Sequence, residues 1–152
     1  MRIVMRKTKK GFFKPKNPQK YAGDVSNIVY RSSWELKFLY YLDNHPDIIS
    51  YGSEEFAIPY FSPVDRKMHR YFPDFIIKKR EKNGNITVCV IEIKPFSQVQ
   101  APVKNNKINR TYINETITYA INQAKWSSAK SFCKTKNWEF VILTEKELNI
   151  KW

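Results

Sequence analysis

Three acids and one lysine in this chain are spaced so that their side chains could act together. In the run Ile86–Lys94 an extended strand alternates faces, so Val88, Val90, Glu92 and Lys94 share one side. That puts a carboxylate and an ammonium at the end of an otherwise apolar strand, and Pro95 then ends the ladder at a sheet rim. Asp74 stands between Pro73 and Phe75 in the apolar run Arg70–Ile77. The turn signal Asn83-Gly84 would pair the two runs as a hairpin, with Asp74 beside Glu92. Neighbouring carboxylates raise each other's pKa unless a cation lies between them. A hard divalent ion with oxygen ligands relieves the repulsion, and Mg2+ or Mn2+ leaves room for water and a phosphate oxygen. Phosphodiester hydrolysis suits such a site: the ion polarises the phosphoryl oxygen, while Lys94 orients or deprotonates the attacking water and offsets developing charge. A second ion needs a further acid, and Glu35 in the first turn of the leading helix is the candidate. The expected catalytic set is Glu35, Asp74, Glu92 and Lys94, with Glu35, Asp74 and Glu92 as metal ligands.

Each of these residues also has a structural reading. Glu35 fits a capping box with Ser32 as N-cap. Asp74 could be a turn acid after Pro73. Glu92 and Lys94 could be an edge pair that blunts aggregation. The combination of Pro-Asp, one hairpin signal and an apolar run ending Glu-Ile-Lys is more specific than any one part.

The elements that must position these groups follow from periodicity and turn chemistry. Trp34, Phe38, Tyr41 and Leu42 recur at helical spacing and predict a helix from about Ser32 to Asn44, stopped before Pro46. Ile48–Tyr51 and Phe56–Tyr60 read as short strands, Pro63-Val64-Asp65 as a turn, and Met68–Lys78 as one extended run. Ile86–Lys94 is the clearest strand, and Pro95–Asn109 reads as polar loop. Ile113, Ile117, Ile121, Ala124, Ser128 and Phe132 mark one face of a long helix over Thr111–Lys134. Trp138–Leu143 is a last strand, and Thr144 with Glu147 predicts a capped turn. The expected class is α/β: a mixed central sheet flanked by helices, in the order α-β-β-β-α-β.

Length, 152 residues, allows one domain, and 42% hydrophobic with 15% aromatic residues excludes wholesale disorder. Cys89 and Cys133 form no CxxC pair, which excludes a zinc ribbon and argues against a disulfide framework. Both read as core thiols. The longest apolar stretches are interrupted by charge, so no membrane span is expected, and Met1–Arg6 lacks the apolar region of a signal peptide. A soluble protein of a reducing compartment fits best.

Charge points to a polyanionic partner: 27 Lys+Arg stand against 14 Asp+Glu, a net +13. Residues 1–20 hold eight of the basic groups and no acid, with Gly11, Pro15 and Pro18 against a helix. They read as a basic extended arm ahead of a single domain over 21–152. Arg6, Lys7, Lys9, Lys10 and Lys14 would grip phosphates, with Phe12, Phe13 and Tyr21 available to stack on bases. A solubilising tail, or an arm for an acidic protein partner, is the alternative. Lys104, Lys107 and Arg110 form a second basic stretch after the Glu-x-Lys strand.

Pro73-Asp74 with Glu92-Ile93-Lys94 resembles the PD-(D/E)xK nuclease signature, whose members often carry an extra acid on the preceding helix, Glu35 here. Arg31-Ser-Ser-Trp-Glu35 followed by Pro-Asp-Phe and Glu-Ile-Lys is similar to the transposon-end endonucleases. The Lys-Pro-rich start leading into Tyr21-x-Gly23-Asp24, with His69-Arg-Tyr-Phe-Pro-Asp-Phe75, is also similar to the head completion nucleases of large contractile-tailed phages. The resemblance implies a restriction-endonuclease-like core and a Mg2+-dependent nuclease acting on double-stranded DNA. It further implies head and connector proteins as partners, and work in the host cytoplasm when filled heads are joined to tails. Members often place a polar residue on the helix after the lysine strand, making Gln123 and Lys125 candidates, Lys125 for DNA binding. A rival reading is a non-catalytic DNA-binding or head-connector protein that keeps the nuclease core only as scaffold.

Overall fold

Ser32 opens the leading helix α1 (Ser33–Asn44) as its N-cap, its hydroxyl accepting the Glu35 amide at 3.2 Å. In this computed structural model, which describes residues 10–104 and 108–148, α1 buries Trp34, Phe38, Leu39 and Leu42. Full burial of one such side chain contributes about 1.5–3 kcal/mol. Tyr41, expected on that face, stays half-exposed, and Leu39 takes its place. The helix ends with the His45 amide donating to the Tyr41 carbonyl, and Pro46 cannot extend it.

After α1 come β3 (Ile48–Ser53), β4 (Ile58–Phe61), β5 (Met68–Tyr71), β6 (Phe75–Arg80) and β7 (Ile86–Ile93), then α2 (Phe96–Val99), α3 (Arg110–Lys136) and β8 (Glu139–Leu143). A short ribbon, β1 (Gly11–Phe12) with β2 (Val29–Tyr30), precedes them. The central sheet runs β3-β6-β7-β8, antiparallel except for the parallel pair β7–β8 that α3 connects. The sheet is therefore mixed and flanked by helices. Cys89, Ile91 and Ile93 pack with α1 on one face. On the other, Trp126 and Ala129 of α3 pack with Ile58, Tyr60 and Tyr71 of the β4–β5 hairpin, against Phe140 and Ile142. The Asn83-Gly84 turn closes the β6–β7 hairpin as expected, with Gly84 at φ +86, where a side chain would be strained.

Four expectations are corrected. Met68–Lys78 is not one strand: Pro73 has no amide to donate, so the chain breaks at Phe72–Asp74 and its halves enter different sheets. The β4–β5 hairpin is thereby inserted between two central strands, an addition to the simple α-β-β-β-α-β order. Pro95–Asn109 holds the single-turn helix α2. The buried stripe of α3 is Asn122, Trp126, Ala129 and Cys133, while Ile113 and Ile117 are exposed. The first half of α3 runs beyond the sheet, so its periodicity has no core to meet.

Residues 10–20, read from sequence as part of a basic extended arm, pack on α1. Phe13 is buried and its amide donates to the Ile28 carbonyl. The Lys16 and Asn17 amides donate to the buried Asp43 carboxylate, and Lys20 Nζ reaches three carbonyls at the helix end. A carboxylate at 1% exposure requires such donors, and the adjacent strap supplies them. Both cysteines are free and buried; the Cys89 thiol, in an apolar site, is pushed up to about 11. Among the described residues no helix is long and apolar enough to cross a membrane.

Candidate active site

The β6–β7 register pairs Phe75 with Ile91, which brings Asp74 opposite Glu92 at the sheet end. The Asp74 amide lies 3.4 Å from Glu92 Oε2, and Asp74 Oδ2 accepts the Ile93 amide at 2.8 Å. Glu92 is only 6% exposed, and Lys94 Nζ stands 3.7 Å from its Oε1. The parallel partner β8 fixes the lysine's backbone, whose amide donates to the Leu143 carbonyl at 3.0 Å. The alternation of β7 thus places this acid–lysine pair where the sequence pattern put it.

The electrostatics are those of two crowded anions. Burial, and next the Glu92 charge, hold the Asp74 carboxyl well above the usual carboxylate range. Burial also raises Glu92, against the Tyr71 hydroxyl and the Lys94 ammonium, which favour its ionised form. Tyr71 donates to Glu92 Oε2 at 2.6 Å, and burial beside that carboxylate raises its own phenol strongly.

Glu35 stands apart from this pair. Its Oε2 accepts the Arg31 amide at 3.1 Å, completing a cap beyond Ser32, and burial raises its carboxyl, with Glu54 and Glu92 adding to the shift. Among the described residues no three carboxylate, histidine or cysteine side chains converge closely enough to hold one metal ion. Of the expected trio Glu35, Asp74 and Glu92, the pair Asp74 and Glu92 is in contact in this geometry, and Glu35 lies within electrostatic reach of both. Glu35 Oε2 is held at the helix start by the Arg31 amide. Even so, two carboxylates suffice for Mg2+, which keeps several waters and takes one or two carboxylates plus phosphate. Asp74 Oδ1 accepts no hydrogen bond among the described residues, so an unshared oxygen remains on the more strongly perturbed acid. The donor set fits a hard divalent cation.

Of the basic residues expected to bind nucleic acid, Lys125 lies at the site. Its ammonium stands 5.7 Å from the Tyr71 ring centre and 5.8 Å from that of Tyr60, and its pKa is lowered by burial and by Lys94. Gln123, one turn face away, is exposed. Lys10, Lys14, Lys104 and Arg110 are exposed. Arg6, Lys7, Lys9 and Lys107 lie outside the described residues, as does Trp152. A cleft of about 760 Å³ opens between α2 and the first half of α3, with buried Asn122 in its lining.

Sequence reasoning missed three participants. Tyr71 enters the sequence reading only as part of the run His69–Phe75, although its phenol donates to Glu92. Arg31 and Glu54 pair at 3.2 Å beside Glu35 and Asp74, with Glu54 at φ +54 and its amide on the Asp74 carbonyl. Arg31 opened a quoted motif, but nothing local linked it to Glu54, 23 residues on.

A carboxylate pair with an adjacent lysine, on the rim of a mixed sheet between two helical layers, is a nuclease-like arrangement. Residues 45–145 match the family described as TnsA-like endonuclease N terminal, and the chain belongs to that endonuclease family. It is also 40% identical over 142 residues to the Head completion nuclease of Enterobacteria phage T4, spanning 91% of this chain and 92% of that relative. The two resemblances read from the motifs are thus both met. The family match takes in Asp74, Glu92 and Lys94 and begins beyond Glu35.

Proposed function

We propose that this protein is a divalent-metal-dependent deoxyribonuclease, of the PD-(D/E)xK type in a restriction-endonuclease-like core, that hydrolyses phosphodiester bonds of double-stranded DNA. The observation that carries the reading is the Asp74–Glu92 pair at the sheet end, Asp74 half-buried and Glu92 buried, with Lys94 beside it: adjacent acids, both held above the usual carboxylate range, and one Asp74 oxygen that accepts no hydrogen bond among the described residues. Asp74 and Glu92 would hold Mg2+ or Mn2+. When bound, such an ion polarises the phosphoryl oxygen and makes water a better nucleophile. Lys94 orients that water and offsets negative charge as the phosphorus becomes five-coordinate. Tyr71 keeps Glu92 from rotating. Lys125, desolvated beside Glu92, suits a phosphate oxygen once the strand is seated. Glu35, whose Oε2 holds the Arg31 amide and whose Oε1 accepts no hydrogen bond among the described residues, would be the ligand of a second ion.

The relative's name places that protein in head completion, and its extent of similarity supports the same task here. The partners are then double-stranded DNA and head or connector proteins, met in the host cytoplasm during assembly. Supercoiled plasmid incubated with purified protein tests the reading: nicking or linearisation in Mg2+ or Mn2+, abolished by EDTA, is expected. Binding with no loss of supercoils under any divalent ion would leave a non-catalytic DNA-binding or connector role instead.

A further inference from the structure

The β4–β5 hairpin is inserted between two central strands, and its two faces differ. Ile58, Tyr60 and Tyr71 turn inward and pack on α3 through Trp126 and Ala129. The register pairs Pro59 with Arg70 and Phe61 with Met68 on the other face, where Phe61 is 52% and Met68 62% exposed. Arg70 lies over the Phe72 ring at 5.3 Å, and Arg66 and Lys67 stand exposed at the turn. Asp65 is the hairpin's one acid, and it is bonded to His69. The anchored face belongs to the core, but no core contact accounts for the outward face of cations among apolar side chains.

We propose that this outward face is the DNA-reading element of the protein, a two-stranded ribbon that enters the major groove beside the bond to be cut. The inference rests on the DNA-nuclease reading for the identity of the polyanion. Size selects the groove: a two-stranded ribbon fits the major groove, about 12 Å wide, and not the minor groove, about 6 Å wide. Charge selects DNA over an apolar protein partner, since Arg66, Lys67 and Arg70 carry no carboxylate partner among the described residues. Position couples reading to cutting. β5 ends at Tyr71, and two residues further on the chain reaches Pro73-Asp74. A four-residue ladder extends only about 13 Å, less than half a helical turn of the duplex, so ribbon and carboxylates can engage one DNA segment. The apolar Phe61 and Met68 suit thymine methyl groups, and the arginines suit guanine edges or flanking phosphates.

The test compares two triple variants that lose the same charge. One removes the ribbon cations, Arg66→Asn, Lys67→Ala and Arg70→Ala; asparagine is chosen because Arg66 sits at φ +59, where it is tolerated. The other removes the exposed Lys78, Arg80 and Lys82, each to Ala, at the far end of the β6–β7 hairpin. Binding of a labelled 20-base-pair duplex is followed by anisotropy in EDTA, so no cutting intervenes. The ribbon variant should bind at least about tenfold more weakly, with a salt slope smaller by about two, while the control stays within about threefold of wild type. Equal losses in both variants, or unchanged binding in the ribbon variant, overturn the proposal. So does displacement of ribbon-dependent binding by a small minor-groove ligand. Should the triple ribbon variant melt early, single Lys67→Glu and Arg70→Glu changes at the same exposed positions carry the comparison. Ribbon-dependent binding by a protein that never cuts would sink the nuclease reading and keep this one, and cutting with ribbon-independent binding would do the reverse.

Discussion

Two regions of this molecule bury acids, and they do so on opposite terms. Asp43, at 1% exposure, accepts the Lys16 and Asn17 amides and the Tyr51 hydroxyl, at 2.9–3.3 Å. Lys20 stands behind it on the helix-end carbonyls. Every lone pair that matters has a donor, and the result is a clamp between strap and helix. Asp74 and Glu92 face each other with fewer donors, one lysine at 3.7 Å, and carboxyls held above their ordinary range by burial. Burial alone therefore does not mark a chemical site. The supply of donors does: a buried acid that folding satisfies is architecture, and a buried pair that folding leaves repelling is poised for a cation.

The comparison breaks most sharply at Asp74. Asp74→Ala should lower plasmid cleavage by about three orders of magnitude, roughly 4 kcal/mol of barrier, because an oxygen ligand for the ion is lost. DNA affinity should hold or tighten as a negative charge leaves, and cleavage within tenfold of wild type would remove Asp74 from the reaction. The matching change at the other site reverses the pattern. Asp43→Ala leaves two amides and a phenol buried without an acceptor and should cost about 3 kcal/mol of stability in urea denaturation, with cleavage per folded molecule unchanged. A loss below about 1 kcal/mol there would show that the strap is held by other contacts.

Proton linkage sharpens the contrast. A carboxyl whose pKa is raised in the folded state binds its proton more tightly there than in the unfolded chain. Its stabilising contribution is complete below the unfolded-state value and fades as pH rises through the folded-state value. Metal-free protein should accordingly melt lower at pH 8 than at pH 5 through Asp74 and Glu92. Asp74→Asn should flatten that slope and raise the melting temperature at pH 8 by about 2–4 °C. A slope the same in wild type and variant would place the proton linkage elsewhere. The smallest effect is at Lys20: Lys20→Met keeps the aliphatic stem but removes the helix-end donor, and should cost about 0.5–1 kcal/mol by thermal melting with no change in cleavage.

Much of the fold was legible because its signals are local. Ser32 and Glu35 announce a cap within four residues, Asn83-Gly84 a turn within two, and Ile86–Ile93 a strand by its Val and Ile content. From that one hairpin the Asp74–Glu92 neighbourhood follows by counting. The face of α3 was misread because Ile113 and Ile117 keep helical spacing over a stretch that runs past the sheet. Glu35 shows the same limit: its pattern with Ser32 announced the cap, but its bond to the Arg31 amide and the Glu54 charge beside it come from the fold.

Residue types and short spacings were enough to specify a basic α/β protein with an acid–lysine pair at a strand end, since each of those features is decided within one helix turn or one hairpin. Partnerships across the chain were settled only by packing. Tyr71 meets Glu92 across 21 residues, Asp43 meets Lys16 across 27, and Lys125 arrives from a crossover helix. Such contacts depend on which strands pair and which face a helix turns inward. That choice minimises the free energy of the whole core, so no short window of sequence contains it.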